Sequence, residues 1–203
     1  PPAKRTEISE ALLTEITALA GRPCHTEEGA AALDTLARRI LGAGAEGRLL
    51  VLRDAPASTA SLPDGRILMA RALVEDPAEP DVPAGFVLAE RLRQQARDPL
   101  ETLVREGGVT ASFRLLTAGH LPSELLRAHA RHLLTAKPAP LQDAILLDGF
   151  EASALSPRPY AFALDVTGET VLGLIEAAPF ATPAARPTLS DADWLRLQGI
   201  CGA

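Results

Sequence analysis

Between Gly85 and Val104 the chain reads GFVLAERLRQQARDPLETLV, and this stretch constrains the fold more than any other. It reads as a helix over about 82–96, an Asp-Pro break and a second helix. Asp98 is placed to cap the second helix, with Pro99 at its first position and Gly107-Gly108 at its end. Neither helix contains a histidine.

The flanking segments read by the same rules. Residues 5–20 set Ile8, Leu12, Ile16 and Leu19 at helical spacing. Thr26 is an N-cap for a further helix, with Glu27 and Glu28 in the first turn and Gly42 or Gly44 at the end. GRLLVLRD (47–54) reads as a strand, and RILMA (66–70) as another after the Pro63-Asp64-Gly65 turn. Together they predict a hairpin or a small sheet. Residues 75–83 read as a Pro-rich acidic loop. TASFRLLTAG, residues 121–136 from Pro122, and APLQDAILLDGFEASAL predict three more helices. YAFALDVTGETVLGLIEAA fits either strand then helix or helix alone, and ATPAARPT reads as a loop. Ser190 caps a closing helix on which Trp194, the only Trp, is a core anchor for the C-terminus. The expectation is an α+β fold, helix-rich, with about seven or eight helices and a small two- or three-stranded sheet. It is read as a single domain over 1–203, with N-terminal helices (1–45), a motif-bearing core (46–136) and C-terminal helices (137–203).

Composition excludes several classes. Hydrophobic residues make up 47% of the chain, enough for a core, but aromatics only 3%, so Leu, Ala, Val and Ile must build it. Lys occurs only at Lys4 and Lys137 against an Arg- and Ala-rich background, the bias of a GC-rich bacterial genome. A net charge of −6 and no long basic run argue against nucleic acid as a partner. No stretch approaches the roughly 18 apolar residues of a membrane span. Cys24 and Cys201 stand near the two ends of the chain. Joined, they would close nearly the whole chain, stabilise it by about 5 kcal/mol on the loop-entropy model and imply an oxidising compartment. Unjoined, they are two unrelated thiols, and the sequence leaves both readings open.

The order of motifs around the opening stretch carries a resemblance. STASLPDGRILMARALVED (58–76) precedes the helix, DVPAGFVLAERL leads into it and ARDPLETLV leaves it. This order resembles the membrane-associated zinc peptidase family that includes the CAAX prenyl protease, HtpX and BepA. Leu62-Pro63, Gly65, Ile67 and Ala72-Leu73 match the segment before that family's metal-binding helix. AGFVLAERL matches the start of the helix, and Arg97-Asp98-Pro99 its exit. The match is clear over about 58–108 and loose over 25–136. It implies a minigluzincin-like fold and a zinc site on a helical His-Glu-x-x-His, in which imidazoles at i and i+4 grip the metal and the Glu activates bound water.

The ligands are missing. Aligned from the left, the motif falls on Glu90, Arg91, Leu92, Arg93 and Gln94; aligned from Asp98-Pro99 it falls on Ala89, Glu90, Arg91, Leu92 and Arg93. Neither register holds a histidine, and a permanently cationic Arg does not replace one. The second keeps a Glu at the general-base position. Glu124 is the nearest candidate for the family's third ligand, without its usual context. The other reading of AERLRQQAR is a solvated amphipathic face with no such ancestry.

The resemblance therefore implies a degenerate, catalytically inactive peptidase-like protein, without the zinc of its active relatives. It implies an interaction module that binds a protein or extended peptide by strand pairing near Arg66, Ile67, Leu68 and Met69. Two alternatives stand beside it: an active zinc peptidase with a non-standard site from His120, His129 and His132, and a purely structural module. The His129/His132 pair at i, i+3 also reads simply as two surface histidines. The family implies a membrane anchor. The chain opens on PPAKRTEISE without Met, so a signal or anchor ahead of it is expected. The expected location is the bacterial envelope, periplasmic side or inner-membrane anchored, with the cytoplasm left open. No serine sits in a Gly-x-Ser-x-Gly elbow. The glycines of LGAGAEGR follow a helix, so they form a C-cap and turn, not a phosphate loop.

Overall fold

Period-two side chains on a small sheet divide the core in two. The structure, a computed structural model, describes residues 1–55, 58–117, 119–177 and 187–202. Three strands, β1 (Leu49–Leu52), β2 (Thr59–Ser61) and β3 (Ile67–Ala70), lie in the order β1-β3-β2. Leu49, Val51, Ile67 and Met69 point to one face; Leu50, Leu52, Ala60, Leu62 and Leu68 point to the other.

The first face packs against α2 (Glu27–Leu41), α4 (Asp81–Ala96), α8 (Asp143–Ala152), α9 (Pro157–Leu164) and α11 (Asp191–Gln198). The second packs against α1 (Pro2–Ala20), α5 (Pro99–Glu106) and α7 (Ser123–Thr135), with Ala111 of α6 (Gly108–Thr117) completing it. Short helices α3 (Ala72–Glu75) and α10 (Leu172–Glu176) fill connections. The chain is thus a helix-rich α+β fold with a three-stranded mixed sheet. Of the three sequence blocks, the last is not a layer of its own: α11 packs on α2, and both cores share the sheet.

Local signals hold. Thr26 accepts a hydrogen bond from the Gly29 N–H at the start of α2, and Gly42 ends that helix. Asp98 accepts from the Leu100 N–H and caps α5. Trp194 is 7% exposed and anchors α11 in the core.

Two open readings are resolved and one is corrected. β1 and β3 do not form a hairpin; they run parallel, Leu49 beside Ile67, and the Pro63-Asp64-Gly65 turn joins β3 to β2 instead. The acidic loop over 75–83 is shorter than read, because α4 starts at Asp81 and carries Pro83 in its first turn, where no N–H is needed. YAFALDVTGETVLGLIEAA holds no strand over its described residues: α9 and α10 frame a 3₁₀ turn at Glu169–Val171. The predicted ATPAARPT loop lies almost wholly outside the described residues.

The long central helix α4 depends on two close approaches. Gly85 lies so near α9 that a Cβ there would come within 2.6 Å of the Tyr160 Cβ. Gly149 of α8 leaves the same kind of room for Leu92, 2.8 Å from an added Cβ. The structure also settles the cysteines: Cys24 and Cys201 are joined, with Cα atoms 4.5 Å apart. The bridge ties α11 to the segment after α1. In that segment the Cys24 N–H donates to the Val51 carbonyl at 2.8 Å and covers the outer edge of β1.

Gly85→Ala overpacks the α4–α9 contact and is expected to cost about 1–3 kcal/mol, read as a lower urea midpoint with an unchanged slope. A Cys24→Ser/Cys201→Ser double variant is expected to lose up to about 5 kcal/mol on the loop-entropy model, measured by the same titration without reductant.

Candidate functional site

The side chains that gather polar chemistry lie where α4 crosses the end of the sheet. Residues Val82–Glu90 of α4 are all buried, so the helix carries the Glu90 carboxylate inward with it. Glu90 is 5% exposed, and a charge so placed must be paired and hydrogen-bonded. It is. Thr59 Oγ1 donates to one carboxylate oxygen at 3.0 Å and Ser61 Oγ to the other at 2.5 Å. Arg93, one turn on, donates to Glu90 at 3.0 Å and to the Ala139 carbonyl at 2.7 Å. Gln94 Nε2 donates to Ser61 Oγ at 2.9 Å.

This network forms the floor of a cleft of about 330 Å³. Its walls are β2, the second half of α4, the start of α5, and the end of α7 with the following segment 136–141. Both carboxylate oxygens already accept hydrogen bonds. Glu90 therefore ties α4 to β2.

Among the described residues β2 has a ladder partner on one side only. Ala70 N–H donates to the Ser58 carbonyl and Leu62 N–H to the Arg66 carbonyl, with Ala60 opposite Leu68. In an antiparallel ladder the alternate residues, Thr59 and Ser61, then turn their backbone N–H and C=O groups away from β3. All three residues of β2 line the cleft, at 3–9% exposure. The facing wall cannot pair with them as a strand, since Pro138 and Pro140 have no N–H and the Ala139 carbonyl is taken by Arg93.

Two ionisable neighbours are shifted. Burial pushes the Tyr160 phenol up, with Arg93 opposing and Glu90 adding to the effect. The Arg5 guanidinium holds the Asp98 carboxyl below the usual range, and the Leu100 N–H helps. Asp98 thus caps α5 and fastens it to α1 through Arg5.

The sequence-predicted residues divide. Glu90, Arg93 and Gln94 meet in the cleft, while Ala89 is fully buried in the core and Arg91 points away, donating to the Ile40 carbonyl at 2.8 Å. The i, i+4 pair that faces the cleft is Glu90 and Gln94, not Ala89 and Arg93. Ile67, Leu68 and Met69 do not form a sheet edge: β3 is the middle strand, paired on both sides, and the free edge belongs to β2. Arg66 is paired with Asp64 and Glu10. Glu124 is exposed at the start of α7 and does not line the cleft.

His129 and His132 stack with ring centroids 6.2 Å apart and both approach Glu106, His132 Nε2 at 4.0 Å, and among the described residues His120 makes no contact with them. His120 is exposed, and His132 stands exposed at the cleft rim. His129, read as a surface residue, is 3% exposed, and its Nδ1 lies 2.6 Å from Glu106. Among the described residues no group of three or more His, Cys, Asp or Glu side chains is arranged to hold a metal. Sequence reasoning missed Thr59 and Ser61. Their signal was alternation, Thr-Ala-Ser, which sets two hydroxyls on one face of a short strand.

No protein-family model matches the chain, and no curated protein matches it. Among the described residues no helix is long and apolar enough to cross a membrane.

Glu90→Ala removes the acceptor of three buried donors and is expected to cost about 3 kcal/mol. Glu90→Gln, which keeps one acceptor oxygen, is expected to cost less. Chemical denaturation of the two variants checks the order.

Proposed function

We propose that the chain is a peptidase-like domain without peptidase chemistry that binds an extended protein segment along the free edge of β2. One observation carries the reading: β2 lines the cleft, and among the described residues the backbone groups of Thr59 and Ser61 have no ladder partner on the side away from β3. A strand edge left open is a template for another chain, and here it lies at the base of a groove instead of on a flat surface. The other edge of the sheet is covered by the Cys24 segment. Main-chain hydrogen bonds to β2 would supply affinity, and the cleft side chains would supply selectivity.

The motif order over 58–108 supports a zinc-peptidase ancestry for this cleft. In that ancestry β2, the turn at Pro63-Asp64-Gly65 and β3 precede the helix that carries Glu90. The positions where such a helix would present imidazoles hold Glu90 and Gln94, or Ala89 and Arg93, and the guanidinium of Arg93 occupies the cleft floor. Positive charge there opposes a divalent cation. The Cys24–Cys201 bridge supports an oxidising compartment, such as the periplasmic side of a bacterial envelope.

Two measurements test the reading. Elemental analysis of untagged protein prepared without chelator is expected to find far less than one zinc per chain; a stoichiometric zinc together with cleavage of an unfolded substrate would overturn it. Binding of an extended octapeptide, followed by fluorescence anisotropy, is expected to weaken at least about tenfold when alternate peptide nitrogens are methylated, since each methyl removes a ladder donor. Equal binding of the methylated peptide would remove strand addition as the mode.

A further inference from the structure

The charges around the cleft do not match those of the chain. The protein carries a net charge of −6, yet the cleft is lined by Arg93, Arg97 and Lys137 against a single carboxylate, Glu90. That carboxylate is already paired with Arg93 beneath the surface. Arg97 and Lys137 have no ion pair or side-chain hydrogen bond among the described residues, and both are exposed. They come from different elements. Arg97 ends α4, and Lys137 follows α7, so two free cations converge on the cleft from two of its walls. Arg22, Arg114, Arg131 and Arg158 also have no side-chain partner among the described residues, but none of them lines this cleft.

We infer that the segment taken up along β2 is acidic: an extended peptide with Asp or Glu side chains that meet Arg97 and Lys137. The inference rests on the strand-addition reading and adds the chemistry of the partner. Successive side chains of an added strand point alternately to its two faces. Carboxylates spaced two apart would then lie on one side of the strand, where cations from α4 and from the 136–141 wall can both reach it. Glu90 does not repel such a ligand, because Thr59, Ser61 and Arg93 already occupy its oxygens. Like charge elsewhere on an acidic chain makes the cleft the most favourable place for an acidic segment to settle.

The test compares three labelled octapeptides of the same Thr/Val-rich extended design, with Asp, Asn or Lys at alternate positions, by fluorescence anisotropy on the full chain. The Asp peptide is expected to bind about three- to tenfold tighter than the Asn peptide at low salt, the Lys peptide weakest, with the gap closing near 0.5 M salt as screening sets in. An Arg97→Gln/Lys137→Gln variant is expected to close the gap between Asp and Asn peptides. The charge-keeping Arg97→Lys/Lys137→Arg pair is expected to retain it, which separates lost charge from lost fold. Equal binding of Asp and Asn peptides, or a preference for Lys, overturns the acidic assignment while leaving strand addition standing. Failure of all three peptides to bind overturns both. Displacement of the Asp peptide by inorganic phosphate at millimolar concentration would also overturn it, by reducing the cleft to a site for any anion.

Discussion

Everything in this fold that bears on function hangs on a buried charge. Glu90 sits in the middle of α4 at a depth where an unpaired carboxylate would cost several kcal/mol. The fold meets that cost with two hydroxyls from β2 and a guanidinium one turn along the helix. The three-residue β2 is too short to hold its position by one ladder alone. Its ladder to β3 fixes one side, and its hydroxyls fix the side chains against α4. The backbone on its outer side is what remains. The same interaction that stabilises the interior therefore keeps the edge of the sheet in place.

The helix that carries Glu90 is itself held by shape, with Gly85 letting Tyr160 approach and Gly149 accepting Leu92. Phe86 meets Tyr160 edge-on, with ring centroids 5.0 Å apart, and Phe150 packs on the same ring at 5.6 Å. A chain with few aromatics has placed three of them around one helix. The position of the cleft floor is thus set by packing on the far side of α4, away from any ligand.

How much of this could be read beforehand follows from the range of each interaction. Thr26, Asp98-Pro99 and Ser190 were legible because a cap is a bond between neighbours, complete within three residues. The helix over Asp81–Ala96 was legible for the same reason, apart from its first residue. The parallel pairing of β1 with β3 was not, because a turn signal names which residues reverse direction but not which strand lies on the other side. The burial of His129 was hidden too: it depends on Glu106, which reaches it across the α5–α7 interface and leaves no trace in the spacing of His129 and His132. The cysteines were undecidable at a separation of 177 residues, where only three-dimensional proximity can distinguish a bridge from two thiols. Within the cleft, helical spacing located Glu90, Arg93 and Gln94, but Thr59 and Ser61 came from a strand too short to announce itself.

On the proposed ancestry, the pattern of what is kept and what is gone has a physical reason. Metal ligands that project into an open cleft are tied to the metal and to little else, so once metal chemistry is dispensable, replacing them leaves no orphaned donor in the interior. A glutamate bonded to Thr59 and Ser61 is different. Its removal strands two hydroxyls and a guanidinium inside the protein, whatever happens in the cleft above. A carboxylate at this position then has a structural role in either register of the motif. The arginine beside it neutralises the floor, and the walls are free to acquire charges that suit a ligand instead of a reaction. Arg97 and Lys137 are exposed and reach the cleft from two different elements.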